Sequence, residues 1–263
     1  MIRTRLLALA LTCALPWSGA LAADAPPLRP SYDLAVDGAV TAAAAGGTLA
    51  LLLLEGELAP VSCRWCEPGR LDGELARQVG WRDPKLASTF SDVLQVAIGG
   101  GVLGYTLVEG HRRGDREAGY ANALLITEAT SLALLLEQAV KYSVGRSRPQ
   151  VWLDHAELSS GRDGNLSFFS GHTTFAFAVA ASSSTLLLSQ HAPGAVALSV
   201  LAFSAAGLTG YLRMAAEQHY LMDVLAGAAV GTLVGWAVPH FFHAPREGGL
   251  ALRPAPGGIS IAW

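Results

Sequence analysis

The chain has 263 residues, a length that one hydrophobic core can fill before a second domain becomes necessary. Only 15% of the residues are charged and 51% are hydrophobic, with a mean hydropathy of +0.37, too apolar for an ordinary soluble enzyme. The net charge of −3 provides no basic stripe to neutralise a nucleic-acid backbone, which excludes that class of partner.

In chain order, the N-terminus reads as a secretion signal. Arg3 and Arg5 precede an apolar run, and Ala20-Leu21-Ala22 supplies a small-residue cleavage site. Residues 1–22 are expected to be a signal peptide, or alternatively an uncleaved anchor. Cys13 would leave with the signal, and Cys63 and Cys66 remain as a C-x-x-C pair. Two cysteines are too few for a four-ligand zinc site. An exported compartment favours a local disulfide between them.

Apolar stretches follow at 39–54, 93–108, 121–140, 174–188, 195–212 and 221–242. Several reach the ~20 residues needed to cross a bilayer, and others fall near the margin. Rich in Ala, Leu and Gly and without β-branched alternation, they read as helices. The expected fold class is therefore all-α, a membrane-embedded bundle of five or six helices with its active site at one membrane face. The expected division is an N-terminal helix and Cys-containing loop over 23–84, the helical bundle over 85–242, and a tail over 243–263. The tail alternates weakly, which suggests a short strand or hairpin.

Some of these helices carry charge. Asp92 opens the second, and Glu128 and Glu137 sit inside the third, where ionisable groups face the bundle interior and either function or pair. Glu137 lies one turn before Lys141, the spacing of an i,i+4 ion pair. In the last helix His219, Asp223, Gly227, Gly231 and Gly235 are each four apart and share one face. Glycines at that spacing let a neighbouring helix approach closely, so this face is expected to pack inward and carry His219 into the bundle. Gly100 and Gly104 repeat the spacing in the second helix. A nucleotide-binding loop is not indicated there, because no strand precedes it. Residues 146–170 form one long polar loop, in which Trp152, Asp154 and His155 either line a substrate entrance or simply pack.

Three clusters carry the chemistry. Lys141 and Arg148 are seven apart, which would put both on one helix face if the helix ran on to Pro149. Alone, such cations complement a helix C-terminus or snorkel to the membrane surface. Ser170-Gly171-His172 precedes an apolar run: Ser170 suits an N-cap, free amides there bind anions, and Gly171 permits close backbone approach. Alone, that is an ordinary capped helix. Arg213 precedes His219, and Asp223 stands one turn further on, where a carboxylate can fix the imidazole tautomer and leave the other nitrogen as a nucleophile.

Taken together and in this order, the clusters resemble the type 2 phosphatidic-acid phosphatase superfamily, which shares its fold with bacterial acid phosphatases and vanadium haloperoxidases. The family pattern is K-x6-R-P, P-S-G-H and S-R-x5-H-x3-D. The chain supplies Lys141, Arg148 and Pro149, then Ser170, Gly171 and His172, then Arg213, His219 and Asp223. Phe169 stands where the family has Pro, and Leu212 where it has Ser; neither is a reacting group. The resemblance covers residues 85–242. It implies that His219 attacks phosphorus, that Asp223 orients it, and that His172 protonates the leaving oxygen. It also implies that Lys141, Arg148 and Arg213, with Ser170 and the Gly171 amide, hold the phosphoryl oxygens.

No metal and no other cofactor is implied. The implied partners are the bilayer and a lipid phosphate: phosphatidate, phosphatidylglycerol phosphate, a polyprenyl diphosphate or a lipid A phosphate. The rival expectations are a vanadate-dependent haloperoxidase and a non-catalytic protein that binds anionic lipid. A bacterial inner-membrane location with a periplasm-facing site is favoured. A cleaved signal followed by six crossings would instead put the site in the cytoplasm. Either 39–54 lies against the bundle without crossing, or residues 6–22 are not a true signal.

Overall fold

A computed structural model describes residues 29–155, 161–244, 251–255 and 258–262. The expected signal peptide, with Cys13, lies outside the described residues. The first long helix, α1 (Leu34–Leu53), starts where the Asp33 carboxylate accepts from the Ala35 and Val36 amides. Two short helices follow, α2 (Glu55–Leu58) and α3 (Arg70–Val79). Next come two helices of 29 residues, α4 (Pro84–Arg112) and α5 (Arg116–Val144). Both start further upstream than hydropathy alone indicates, because Asp83 and Asp115 cap them and Pro84 occupies the first turn of α4.

The second half holds α6 (Pro149–Trp152), a 3₁₀ turn (Gly161–Asn165), α7 (Gly171–Ser189), α8 (Ala195–Ala215) and α9 (Leu221–Ala237). A π-helical turn over Val238–Phe242 closes α9. The tail forms an antiparallel hairpin, β1 (Ala251–Ala255) with β2 (Gly258–Ala262). Among the described residues five helices, α1, α4, α5, α8 and the α9 segment to Phe242, are long and apolar enough to cross a membrane. The chain is thus an all-α, membrane-embedded bundle with a small terminal hairpin.

The sixth long helix, α7, is the central one and packs against α4, α5, α8 and α9. Its middle is buried on nearly every side. The main apolar core joins Ile98 and Val102 of α4, Leu125 and Ile126 of α5, Ala176, Val179 and Leu186 of α7, and Ala206 of α8. The glycine face of α9 does pack inward, and the partner it closes on is α7. A Cβ on Gly227 would come within 2.7 Å of the Ser170 carbonyl, and one on Gly235 within 2.5 Å of the Ala178 carbonyl. Gly231 lies as close to the Thr174 carbonyl. Gly100 and Gly104 behave otherwise, with open space beyond both. The tight α4–α5 contact is made by Gly110 against Gly119.

Residues 39–54 lie against the bundle, where α1 runs parallel to α5. Asp37 meets Glu128, Gly47 meets Leu135, and the Tyr142 hydroxyl donates to the Leu51 carbonyl. One expectation is corrected: Lys141 and Arg148 do not share a helix face. Gly145, at φ 60°, ends α5 in the left-handed conformation that only a residue without Cβ adopts freely. Pro149 then begins α6 rather than stopping a helix. The six long helices alternate in direction, so the N-termini of α4, α7 and α9 gather at one end of the bundle with the C-termini of α1, α5 and α8.

Candidate active site

The turn after Gly145 builds the floor of that end. The Gly145 carbonyl accepts from the amides of Arg64 and Trp65, and Ser147 N–H donates back to the Trp65 carbonyl. A Cys63–Cys66 disulfide closes the same loop. Arg146 turns inward and is buried. Its guanidinium pairs with Asp72 of α3 at 2.7 Å and with Asp223 of α9. It lies between two aromatic faces, 3.9 Å from the Trp65 ring and 4.4 Å from that of Tyr220. A planar fork serving two carboxylates is a task for arginine rather than lysine.

Asp223 is buried and fully engaged. Besides Arg146 it accepts from the Ser167 hydroxyl at 2.6 Å and the Tyr220 amide at 2.9 Å. Its Oδ2 is 3.9 Å from Nδ1 of His219, too far for a hydrogen bond. The partner of Nδ1 is the Ser167 carbonyl, at 2.7 Å. A carbonyl only accepts, so Nδ1 carries the proton and Nε2 keeps its lone pair. The direct Asp223–His219 bond expected from the one-turn spacing is thus replaced by a relay, in which Asp223 fixes Ser167 and Ser167 fixes the imidazole.

The cations converge on the same place. Arg148 donates to the Asp163 carboxylate at 2.6 Å and to Gln218 Oε1 at 2.8 Å. Arg213 also reaches Gln218 Oε1, at 3.4 Å, and the hydroxyls of Ser88 and Ser91 on α4 at 3.3 and 3.2 Å. Gln218 therefore holds the two guanidinium groups side by side. Lys141 pairs with Glu137 at 2.7 Å, the i,i+4 contact that the spacing implies. Glu137 in turn touches the α7 terminus, since a Cβ on Gly171 would meet its Oε1 at 2.9 Å. Ser170 occupies the N-cap position, but its side chain makes no cap bond; its hydroxyl accepts from Thr173 instead. The first amides of α7 are not spent on a side-chain cap, which suits an anion.

His172, in the first turn of α7, places Nε2 2.7 Å from the Asp92 carboxylate, which also lies 3.8 Å from Arg213. Burial, then the positive charges of Arg213, Lys141 and Arg148, push the His172 imidazole down to about 2. The Asp92 carboxylate works against that depression. His219 is held well below its ordinary value by burial first and then by Arg148, Arg213 and Lys141, with the Ser167 carbonyl opposing. The three cations thus act on both imidazoles at once, as a single convergent site requires.

All eight site residues expected from the sequence, Lys141, Arg148, Ser170, Gly171, His172, Arg213, His219 and Asp223, meet at this end of the bundle. Five participants were not singled out: Asp72, Arg146, Ser167, Gln218 and, as the partner of His172, Asp92. Arg146 lies within the K-x6-R spacing itself, and its position two residues before Arg148 was a readable signal. Of the loop residues, Trp152 lies beneath Arg77 and bonds Glu67, and the exposed His155 bonds Glu217. Phe169 and Leu212, the departures from the family pattern, are buried; Leu212 joins Ala87, Ala215 and Ala216. A cavity of about 270 Å³ between Pro84, Lys85, Ser88, Thr89, Gln150 and Gln218 opens beside Arg213. A larger one, about 380 Å³, lies at the opposite end of the bundle around Arg113, Asn122 and Gln190, away from this chemistry.

Residues 119–247 match the model of the PAP2 superfamily. A Porphyromonas gingivalis protein named lipid A 1-phosphatase is 38% identical over 114 residues, which are 43% of this chain and 22% of the relative. Lipid phosphate phosphatase 1 of Arabidopsis thaliana is 26% identical over 48% of this chain and 51% of its own length. The chain thus spans about half or less of the curated relatives it matches. The crystal structure of Aquifex aeolicus LpxE is similar at 26% identity and a TM-score of 0.46, covering 65% of this chain and 96% of that one.

Proposed function

We propose, from the match of residues 119–247 to the PAP2 superfamily model, that this chain is a membrane phosphatase that hydrolyses a lipid phosphate through a phosphohistidine on His219. The observation that carries this reading is the His219 imidazole, with Nδ1 committed to Ser167 and an unprotonated Nε2 in reach of three converging cations. Nε2 attacks phosphorus, and the bond from phosphorus to the lipid oxygen breaks. The leaving oxygen takes its proton from His172. Water then attacks the phosphohistidine, gives a proton back to His172, and leaves inorganic phosphate with His219 restored. Lys141, Arg148, Arg213 and the α7 amides meet the charge that spreads over the equatorial oxygens.

His172 has to be charged to act as an acid, and in the free enzyme the surrounding cations oppose that. A bound phosphate dianion offsets most of that positive charge and raises the proton affinity of His172. Asp92 holds the place of that negative charge against His172 and Arg213 until the phosphate displaces it.

The lipid character of the substrate is supported by where the site lies. Its walls are the ends of α4, α5, α8 and α9, helices that expose leucine, valine and phenylalanine along the bilayer, such as Phe90, Val93, Leu208 and Leu225. The likeness to a lipid A 1-phosphatase puts a lipid A phosphate first, ahead of phosphatidate, phosphatidylglycerol phosphate and polyprenyl diphosphate. The Cys63–Cys66 disulfide, at the same end as the site, supports a periplasm-facing site in a bacterial inner membrane.

The test is a substrate panel on detergent-purified protein, repeated on intact spheroplasts with a short-chain lipid phosphate. Lipid phosphates are hydrolysed faster than a soluble phosphomonoester, and spheroplasts need no lysis to show it. Halide oxidation on addition of vanadate, without phosphatase activity, contradicts the chemistry. Activity that appears only after lysis contradicts the sidedness.

A further inference from the structure

A second buried polar cluster lies about 20 Å along α5 from Lys141, on the side away from the phosphate site. It joins Asp37 of α1, Glu128 of α5 and His243, just beyond the π-helical turn. All three are more than nine-tenths buried, and their ligating atoms lie within 4.8 Å of one another. Nδ1 of His243 is 2.9 Å from the Ser31 carbonyl, and Ser31 N–H donates in return to the His243 carbonyl at 3.1 Å. Because the Ser31 carbonyl only accepts, Nδ1 carries a proton, and Nε2 faces the Glu128 carboxylate inside the cluster. This is the outer-shell arrangement that metal-ligating histidines show.

Two further observations indicate a ligand. Among the described residues, His243 Nε2 and Glu128 Oε2 are buried and face each other without closing a hydrogen bond. They are 3.5 Å apart, about the spacing of two ligands held ~2.1 Å from a tetrahedral metal. Asp37 is oriented by the Asp33 amide, which donates to its Oδ2 at 2.6 Å. No lysine or arginine among the described residues pairs with either carboxylate. The two carboxylates sum to −2, a charge that one divalent cation cancels.

We propose that Asp37, Glu128 and His243 form a structural site for a zinc-class divalent metal, which pins α1 and the end of α9 to α5. One imidazole with two carboxylates suits zinc, whereas magnesium and calcium prefer oxygen-only sets. The site is separate from the phosphate chemistry and does not depend on the phosphatase reading.

The full chain, purified in detergent without chelator, is analysed by elemental mass spectrometry. It is then stripped with EDTA and titrated with Zn²⁺ or Mg²⁺ alone, with the thermal midpoint as readout. The expected result is stoichiometric zinc, a midpoint lowered by stripping and restored by Zn²⁺ but not by Mg²⁺. Glu128→Gln is expected to weaken zinc binding at least tenfold, and His243→Cys, which keeps a ligand, to retain much of it. A stripped chain that neither binds Zn²⁺ nor changes its midpoint overturns the proposal. So does zinc binding that survives intact in Glu128→Gln, since the metal then sits elsewhere.

Discussion

Arg146 is the residue on which the geometry of the site turns, although it touches no reacting atom. Its two ion pairs tie α3 to α9, and Asp223 passes the constraint through Ser167 to His219. Breaking a buried pair on one side leaves an uncompensated charge, at a cost of about 3–5 kcal/mol. Arg146→Met is therefore expected to lower both the thermal midpoint and kcat. Adding Asp72→Asn recovers part of the midpoint by removing one stranded carboxylate, while kcat stays low because Asp223 still lacks its guanidinium partner. Wild-type kcat in Arg146→Met would show that the relay is not needed.

The histidines make a second prediction at this scale. His219 is neutral and buried, with its proton affinity held well below that of an exposed histidine. Below about pH 6.5 the unfolded chain takes up a proton that the folded chain refuses, so stability falls as pH falls. The slope from one such group is about 1.4 kcal/mol per pH unit. Replacement by an uncharged residue, His219→Asn, is expected to flatten the decline of the thermal midpoint between pH 6.5 and 5. An unchanged slope in that variant contradicts the assignment of a neutral, buried His219.

Among the elements, the pairing of α7 with α9 sets the distance between Ser170 and His172 on one side and His219 and Asp223 on the other. Ser170 N–H donates to the Asp223 carbonyl at 3.1 Å, which is possible only because Gly227 and Gly231 let the two backbones meet. Gly231→Leu is expected to unfold or inactivate the protein. Gly100→Leu, which points into open space, is expected to be tolerated within about 0.5 kcal/mol. Equal sensitivity at both positions, by thermal melting, would argue against this helix pairing. The four-residue repeat in α9 was readable because close packing needs glycine in register. The same repeat at Gly100 and Gly104 carries no such meaning, since neither position meets another helix. Helix existence was legible from hydropathy. Helix ends were not, because Asp83, Asp115 and Gly145 fix them by local bonding rather than by apolar content.

Across the whole molecule, the residues proposed to react were picked out in the sequence because phosphate chemistry restricts residue type and spacing at once. The supporting groups were not, because their partners are remote: Arg146 finds Asp72 74 residues away, and His172 finds Asp92 80 away. The Asp92 and Glu128 charges stood out in apolar helices, but only the fold shows that one meets His172 and the other His243 and Asp37. Six helices of alternating direction separate these two polar centres, one at the phosphate end and one deeper in the bundle.

The most direct measurement is rapid acid-sparing quench of the purified protein with a ³²P-labelled lipid phosphate, followed by peptide mapping. The account predicts acid-labile, base-stable label on the peptide that carries His219, and no label or turnover in His219→Ala with folding intact. Turnover retained in that variant, or label on another residue, would contradict it.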